Sequence, residues 1–140
     1  MVIKMREIKF RGKIINSDDI LNGTWIYGSL IHITNDIFLI RKYKKDNSGR
    51  ITYVEFQVEP STIGQYTGFK DKSGKEIYEG DIIRIPENGM LFVIKYKEDC
   101  FIAYCEHLNL TYLASSVTSG EIVGNIYENP ELLEGDKNGN

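Results

Sequence analysis

The chain has 140 residues, of which 41% are apolar and 26% charged, and this fits one globular domain or two small ones. No run of about eighteen apolar residues occurs, so the sequence excludes a membrane-spanning helix and a membrane partner is not expected. Charged residues interrupt the N-terminal apolar stretch too early for a secretory signal, which makes the cytoplasm the expected compartment.

Charge is distributed unevenly along the chain, although the formal net charge is only −3. Residues 1–50 hold ten Lys/Arg and five Asp/Glu, a balance of +5, and residues 51–140 hold seven and fifteen, a balance of −8. This polarity fits copies that pack basic end to acidic end, a basic face for nucleic acid, or simply a lopsided solvated surface. A sequence pI near 5.4 argues against a dedicated DNA-binding protein.

The first sixty residues predict strands joined by tight turns. Segment 3–13 alternates between apolar and basic residues, with a change of phase at Glu7 that indicates a bulge or bend. Runs rich in aromatic and β-branched residues then predict three further strands, at 24–33, 37–43 and 50–58. These strands form a meander or hairpin arm, which Pro60 closes because proline cannot donate a hydrogen bond to a ladder.

The second half predicts shorter strands punctuated by glycine. A turn is expected at Asp71–Gly74, and Asn88-Gly89 favours a tight hairpin turn. The predicted short strands are 82–85, 90–96, 101–106, 112–114 and 121–126. Short strands at this spacing predict a small SH3-like or similar open β-barrel. The clearest helix start is Asn129, with Pro130 in the first helical position.

We therefore expect a mainly β protein with very little helix. The expected organisation is an N-terminal β subdomain with the hairpin arm at 1–60, a small β-barrel subdomain at 61–133 and a disordered tail at 134–140. The boundary near Pro60 rests on the change in glycine content that follows it.

Four ordered segments carry a resemblance to a known family. They are Lys9-Phe10-Arg11-Gly12, Gly23-Thr24-Trp25-Ile26-Tyr27-Gly28-Ser29-Leu30, the glycine-rich run 63–83 and Ile122-Val123-Gly124-Asn125-Ile126-Tyr127-Glu128-Asn129-Pro130-Glu131-Leu132-Leu133. In these segments the chain resembles the YopX family, small proteins of phages and prophages in Gram-positive bacteria. The resemblance implies a β-rich protein that assembles with itself, and it supplies no catalytic residue. The resemblance also implies that the aromatic rings of Tyr66 and Tyr78 serve packing and that the Asp81 carboxylate belongs to a turn or a cap.

The sequence assigns no catalytic, cofactor-binding or metal-binding residue, so we expect a protein that is not an enzyme. Glu76 follows Lys75 where a phosphate-binding loop needs Ser or Thr. Cys100, Cys105 and His107 lack the closely paired spacing of a structural zinc site. The two cysteines are expected to be reduced thiols, and on one strand their odd spacing would place them on opposite faces.

Two groups of residues are candidates for contact with partners. Arg41, Lys42, Tyr43, Lys44 and Lys45 combine cations with an aromatic ring, which suits a nucleic-acid backbone or an acidic protein. Lysines at a strand end are also a common guard against edge-to-edge aggregation. Trp25 and Tyr27 are candidate subunit contacts because aromatic residues anchor interfaces, with core packing as their more ordinary role.

These observations favour a phage-derived accessory protein that forms a homo-oligomer and acts through phage or host protein contacts. The first alternative is a nucleic-acid-binding small β-barrel that uses the basic patch at 41–45. The second is an inhibitor of a host enzyme, in which the acidic C-terminal half mimics a polyanion.

Overall fold

The structure is a computed structural model that describes residues 5–18 and 20–137. Strands dominate this part of the chain, and short 3₁₀ turns occur at Pro60–Thr62 and Ala114–Val117. The strands are β1 (Phe10–Lys13), β2 (Trp25–Thr34), β3 (Ile37–Lys45), β4 (Ile51–Val58), β5 (Gly64–Lys70), β6 (Glu76–Tyr78), β7 (Asp81–Arg84), β8 (Leu91–Lys97), β9 (Cys100–Cys105), β10 (Leu110–Leu113) and β11 (Glu121–Asn125), followed by the helix α1 (Glu131–Lys137). The prediction of a mainly β fold with very little helix is confirmed.

Two predictions fall partly on residues outside the described ranges. The alternation expected from residue 3 onward begins among residues 1–4, and the tail expected at 134–140 ends among residues 138–140. Helix α1 reaches Lys137, so the first residues of the expected tail belong to a helix.

The first of two units ends at Gln65. Its antiparallel strands lie in the order β4-β3-β2-β1, and Gly64 and Gln65 at the start of β5 pair with the outer side of β1. The core of this unit is formed by four fully buried aliphatic side chains, Ile14, Ile26, Ile40 and Val58. Pairing of Gly64 and Gln65 with β1 explains why the unit extends past Pro60.

Strand β2 changes its partner at Gly28. Residues Trp25–Gly28 pair with β1, whereas Ser29–Thr34 lie against β3. A Cβ atom at Gly28 would lie 2.1 Å from the backbone oxygen of Arg41, so this close passage requires a residue without a side chain. Beyond Arg41, β3 pairs with β4 alone. We call residues 41–55 the ribbon.

The second unit begins at Tyr66 and contains an open five-stranded antiparallel sheet in the order β10-β9-β8-β7-β11. Its core side chains, which come from β6 to β9 and the turn after β10, include Ile77, Ile83, Phe92, Ile94, Ala103 and Val117. The remainder of β5 pairs with β6 as a hairpin. In the hairpin between β7 and β8, Gly89 has φ +72°, while Asn88 keeps an ordinary negative φ.

Two turns of the chain share one construction. In Asp46-Asn47-Ser48-Gly49 and Asp71-Lys72-Ser73-Gly74, the glycine has a positive φ and its N–H donates to the backbone oxygen of the aspartate. One carboxylate oxygen, Oδ1, accepts the N–H groups of the residues two and four positions further on, each at 2.9 Å. Both turns therefore depend on an aspartate in first position, and both lie where the local sequence predicts a turn.

The roles expected for the glycine-rich run 63–83 agree with its geometry. The side chains of Tyr66 and Tyr78 are buried, and their rings lie 5.5 Å apart. Asp81 is buried, and its Oδ2 accepts the N–H of Tyr78 at 2.8 Å, so it closes the turn between β6 and β7. The Asn129 side chain was expected to cap the start of the helix, but its oxygen accepts the N–H of Asn125 instead. It is the backbone oxygen of Asn129 that accepts the N–H of Leu132, in the first turn of α1.

Candidate functional site

The ribbon has two faces with different chemistry. Because side chains alternate along a strand, the register that pairs Tyr43 with Tyr53 sorts the ribbon residues into two sets. The first set, which we call the tyrosine face, contains Arg41, Tyr43, Lys45, Ile51, Tyr53 and Glu55. The second, the lysine face, contains Lys42, Lys44, Thr52 and Val54. The candidate patch at 41–45 is thus divided between opposite faces and does not form one surface.

On the tyrosine face, Arg41 is held by three neighbours. Its Nε donates to Glu55 Oε2 at 2.9 Å, and its Nη1 donates to the Tyr43 hydroxyl at 3.4 Å. Its guanidinium carbon lies 4.1 Å from the centre of the Tyr53 ring. The hydrogen bonds to Tyr43 and to Glu55 raise the pKa of Arg41 above its usual value. The charge of Arg41 is therefore largely committed within the chain.

Aromatic rings complete the tyrosine face. The Tyr43 and Tyr53 rings meet edge to face, with centroids 5.9 Å apart. Both side chains remain more than half exposed, as does Ile51 on the same face. An exposed cluster of this kind is informative, since single apolar residues are common on surfaces but contiguous ones mark interaction sites.

The lysine face carries uncompensated positive charge. Lys42 and Lys44 are exposed, and neither makes an ion pair within residues 5–18 and 20–137. A surface cleft of about 490 Å³ lies beside them. It is lined by Lys42, Tyr43, Lys44, Thr52, Tyr53 and Val54.

The outer edge of β4 is covered at one end only. The backbone oxygen of Gln57 accepts the N–H of Ile15 at 2.9 Å, and the N–H of Glu59 donates to Lys13 at 2.8 Å. Among the described residues, no backbone group pairs with the outer edge of β4 at residues 51–55. We call this stretch the open edge. The lysines lie instead on β3, along the opposite edge of the ribbon.

Sequence reasoning did not single out the open edge, although a signal for it was present. Segment 51–58 is rich in β-branched and aromatic residues and contains neither proline nor lysine, the residues that usually protect an edge strand. Which part of the β4 edge is covered depends on Lys13 and Ile15, which lie far earlier in the chain and bond to Glu59 and Gln57.

The candidate subunit contacts Trp25 and Tyr27 lie on β2 opposite β1. Trp25 is partly buried, with the Arg11 guanidinium 4.6 Å and the Lys13 ammonium 5.4 Å from its ring centre. Tyr27 pairs with Arg11 in the register and is 38% exposed. Trp25 is thus already engaged by cations of its own chain, while part of Tyr27 remains accessible.

The second unit holds both cysteines on β9, where Cys100 is exposed and Cys105 is buried. In the part of the chain that the structure describes, no group of three His, Cys, Asp or Glu side chains has the arrangement of a metal site. A smaller cleft of about 240 Å³ is lined by residues of β8, β10 and the neighbouring turns, including Phe92 and Tyr112. None of the helices in the described ranges is long and apolar enough to cross a membrane.

Fold and surface together define a β-rich protein of two small units, the first of which contains the two-stranded ribbon. The chain belongs to the YopX protein family, whose sequence model matches residues 9–134. It is similar to the crystal structure of protein EF1440 from Enterococcus faecalis, with 25% identity and a TM-score of 0.58 over 92% of this chain and 99% of that one. No curated protein matches the chain.

Proposed function

We propose that this protein is a non-enzymatic accessory protein of phage origin, which works in the host cytoplasm through protein contacts and associates with copies of itself. The observation that carries the proposal is the tyrosine face of the ribbon, where Tyr43, Ile51 and Tyr53 are each more than half exposed within a few residues of one another. Aromatic and aliphatic side chains placed this way favour burial against a protein surface. The phage origin is proposed from membership of the YopX family.

Light scattering at several protein concentrations and two salt concentrations tests this function. We expect a mass above the 16.1 kDa of one chain, and we expect it to persist in high salt because apolar contacts are not screened. The variant Tyr43→Ser plus Ile51→Ser, with both changes on the tyrosine face, should shift the mass toward one chain.

Tyr96→Ser plus Leu113→Ser is the matched control, since these two second-unit side chains are exposed to a similar extent. It should leave the mass unchanged. A mass of one chain for the unaltered protein at every concentration would contradict self-association.

A second candidate function is binding of single-stranded nucleic acid, which the lysine face favours. Lys42 and Lys44 lie beside a cleft whose lining residues include Tyr43 and Tyr53, and lysines near aromatic residues suit the phosphates and bases of a single strand. Binding of a fluorescent oligonucleotide should then weaken steeply with salt and be largely lost in Lys42→Ala plus Lys44→Ala. Lys70→Ala plus Lys75→Ala, with the same change in charge, is the control. Equal binding by both variants would remove the lysine face as the site.

A further inference from the structure

The open edge presents backbone groups at alternate residues. In antiparallel pairs, residues whose N–H and C=O point to the neighbouring strand alternate with residues whose groups point away. Asp46 donates to Arg50 across the hairpin, while Gln57 and Glu59 bond outward to Ile15 and Lys13. Arg50 thus directs its backbone oxygen toward β3, whereas Gln57 and Glu59 direct their groups away from it. Since the direction alternates from one residue to the next, Ile51, Tyr53 and Glu55 also direct their backbone groups away from β3.

The open edge also lacks the features that discourage pairing. Its one charged residue is Glu55, and the Arg41 side chain on the adjacent strand contacts that carboxylate at 2.9 Å. Strands that end a sheet are usually protected by lysine, by proline or by a charge pointing inward. The opposite edge of the ribbon has Lys42, Lys44 and Lys45, so one edge is guarded and the other is not.

We propose that the open edge of β4 pairs with the same edge of a second copy, antiparallel and about a two-fold axis, with Tyr53 opposite Tyr53 of the second copy. This deepens the self-association proposed above and rests on it. The register places Ile51 opposite Glu55 of the second copy. Each of the three residues whose backbone groups point away from β3 therefore lies opposite another such residue. Each of these pairs exchanges two backbone hydrogen bonds.

The side chains of the tyrosine face are complementary to themselves in this register. Across the four strands of the joined sheet, the central row of side chains consists of Tyr43 and Tyr53 of one copy, followed by Tyr53 and Tyr43 of the second copy. In the neighbouring row, Glu55 lies between Arg41 and, two strand spacings or roughly 10 Å away, Lys45 of the second copy. A two-fold interface needs a patch that matches its own image. In this register each Glu55 lies beside Arg41 of its own chain and opposite Ile51 of the second copy, so like charges do not face each other across the edge.

The lysine face does not oppose this arrangement. The β3 strands of the two copies are three strand spacings apart, roughly 14 Å, which exceeds the screening length of about 8 Å in physiological salt. Lys42 and Lys44 of the two copies therefore repel each other weakly. The lysines prevent pairing on the β3 side without preventing it on the β4 side.

A matched pair of variants at Ile51 tests the edge. The Ile51 N–H points away from β3, so Ile51→Pro removes no hydrogen bond to β3. It eliminates one N–H donor of the open edge and places the proline ring where that hydrogen was. Ile51→Ala also removes the isoleucine side chain but keeps the N–H donor. In sedimentation equilibrium we expect Ile51→Pro to weaken self-association at least tenfold, and Ile51→Ala to retain most of it. Equal association of the two variants would overturn the edge pairing.

Hydrogen exchange on the unaltered protein gives a second test that does not depend on how a proline variant folds. Raising the protein concentration should slow exchange at the amides of Ile51, Tyr53 and Glu55 at least tenfold. The amides of Thr52 and Val54, which face β3, should not respond. Self-association without this alternating protection would overturn the edge pairing and leave the proposed function in place. A single-chain mass at all concentrations would overturn both.

Discussion

The carboxylate of Asp71 accepts the backbone N–H of Ile122 at 3.0 Å, across 51 positions of the chain. Its other oxygen holds the N–H groups of Ser73 and Lys75, so one buried side chain both shapes a turn and fixes that turn to β11. Backbone bonding from Lys72 to Gly120 at 3.0 Å reinforces the same contact. The two most distinctive segments of the sequence, 63–83 and 122–133, thus meet at Asp71.

Replacing Asp71 by alanine should destabilise the second unit. Three backbone N–H donors would lose a charged acceptor. One hydrogen bond to a charged group contributes about 1.5–3 kcal/mol, so we expect the free energy of unfolding to fall by at least that amount. Urea unfolding followed by circular dichroism measures this loss.

The control for that variant is Asp46→Ala, which removes the same turn chemistry at an exposed site. Among the described residues, the Asp46 carboxylate bonds within its own turn, to Ser48 and Arg50, so its loss should be clearly smaller. Equal losses for the two variants would mean that the bond to Ile122 contributes nothing to stability.

Asp71 should also make stability depend on pH in acid. Burial raises the pKa of Asp71, but hydrogen bonds from the backbone of Ile122, Lys75 and Ser73, together with the Lys75 charge, lower it overall. A carboxyl whose folded pKa is depressed stabilises the fold above its unfolded pKa of roughly 3.9, and the contribution is lost as pH falls through the folded pKa. The difference in unfolding free energy between the unaltered protein and Asp71→Asn should therefore shrink below pH ~4. A difference that stays constant from pH 6 to pH 2 would contradict this.

Gly28 should tolerate no side chain. An added Cβ would meet the Arg41 backbone oxygen at 2.1 Å, and a backbone atom in a sheet cannot move aside as a flexible side chain can. Overpacking of this kind typically costs about 1–3 kcal/mol, which we expect for Gly28→Ala when unfolding of the first unit is followed by Trp25 fluorescence. Ser29→Ala in the same strand is the control and should have little effect. Wild-type stability in Gly28→Ala would show that β2 and β3 can separate at this point.

Local sequence was sufficient to predict elements whose cause is local. The turns at Asp46 and Asp71 follow from an aspartate whose carboxylate reaches the next backbone groups and a glycine that takes a positive φ. The strand predicted at 50–58 is close to the observed Ile51–Val58 for the same reason, since β-branched and aromatic residues dominate it.

Longer-range features could not be predicted in the same way. Nothing in the neighbourhood of Asn129 shows that its side chain turns back to the N–H of Asn125. The division of residues 41–45 between two faces follows from strand alternation, but the extent of the open edge depends on which residues of β4 bond to Lys13 and Ile15. Those bonds join segments that are far apart in the sequence.

The two cysteines should react at very different rates. They lie at opposite ends of β9 with an odd spacing, and as expected for a strand they occupy opposite faces, Cys100 exposed and Cys105 buried. Only an accessible thiolate attacks a disulfide reagent, so the native protein should consume one equivalent rapidly and the second only on unfolding in urea. Cys100→Ser should abolish the rapid phase and leave the slow one. Rapid reaction of both thiols in the native protein would show that β9 opens readily, in conflict with the packing of Cys105 in the core of the second unit.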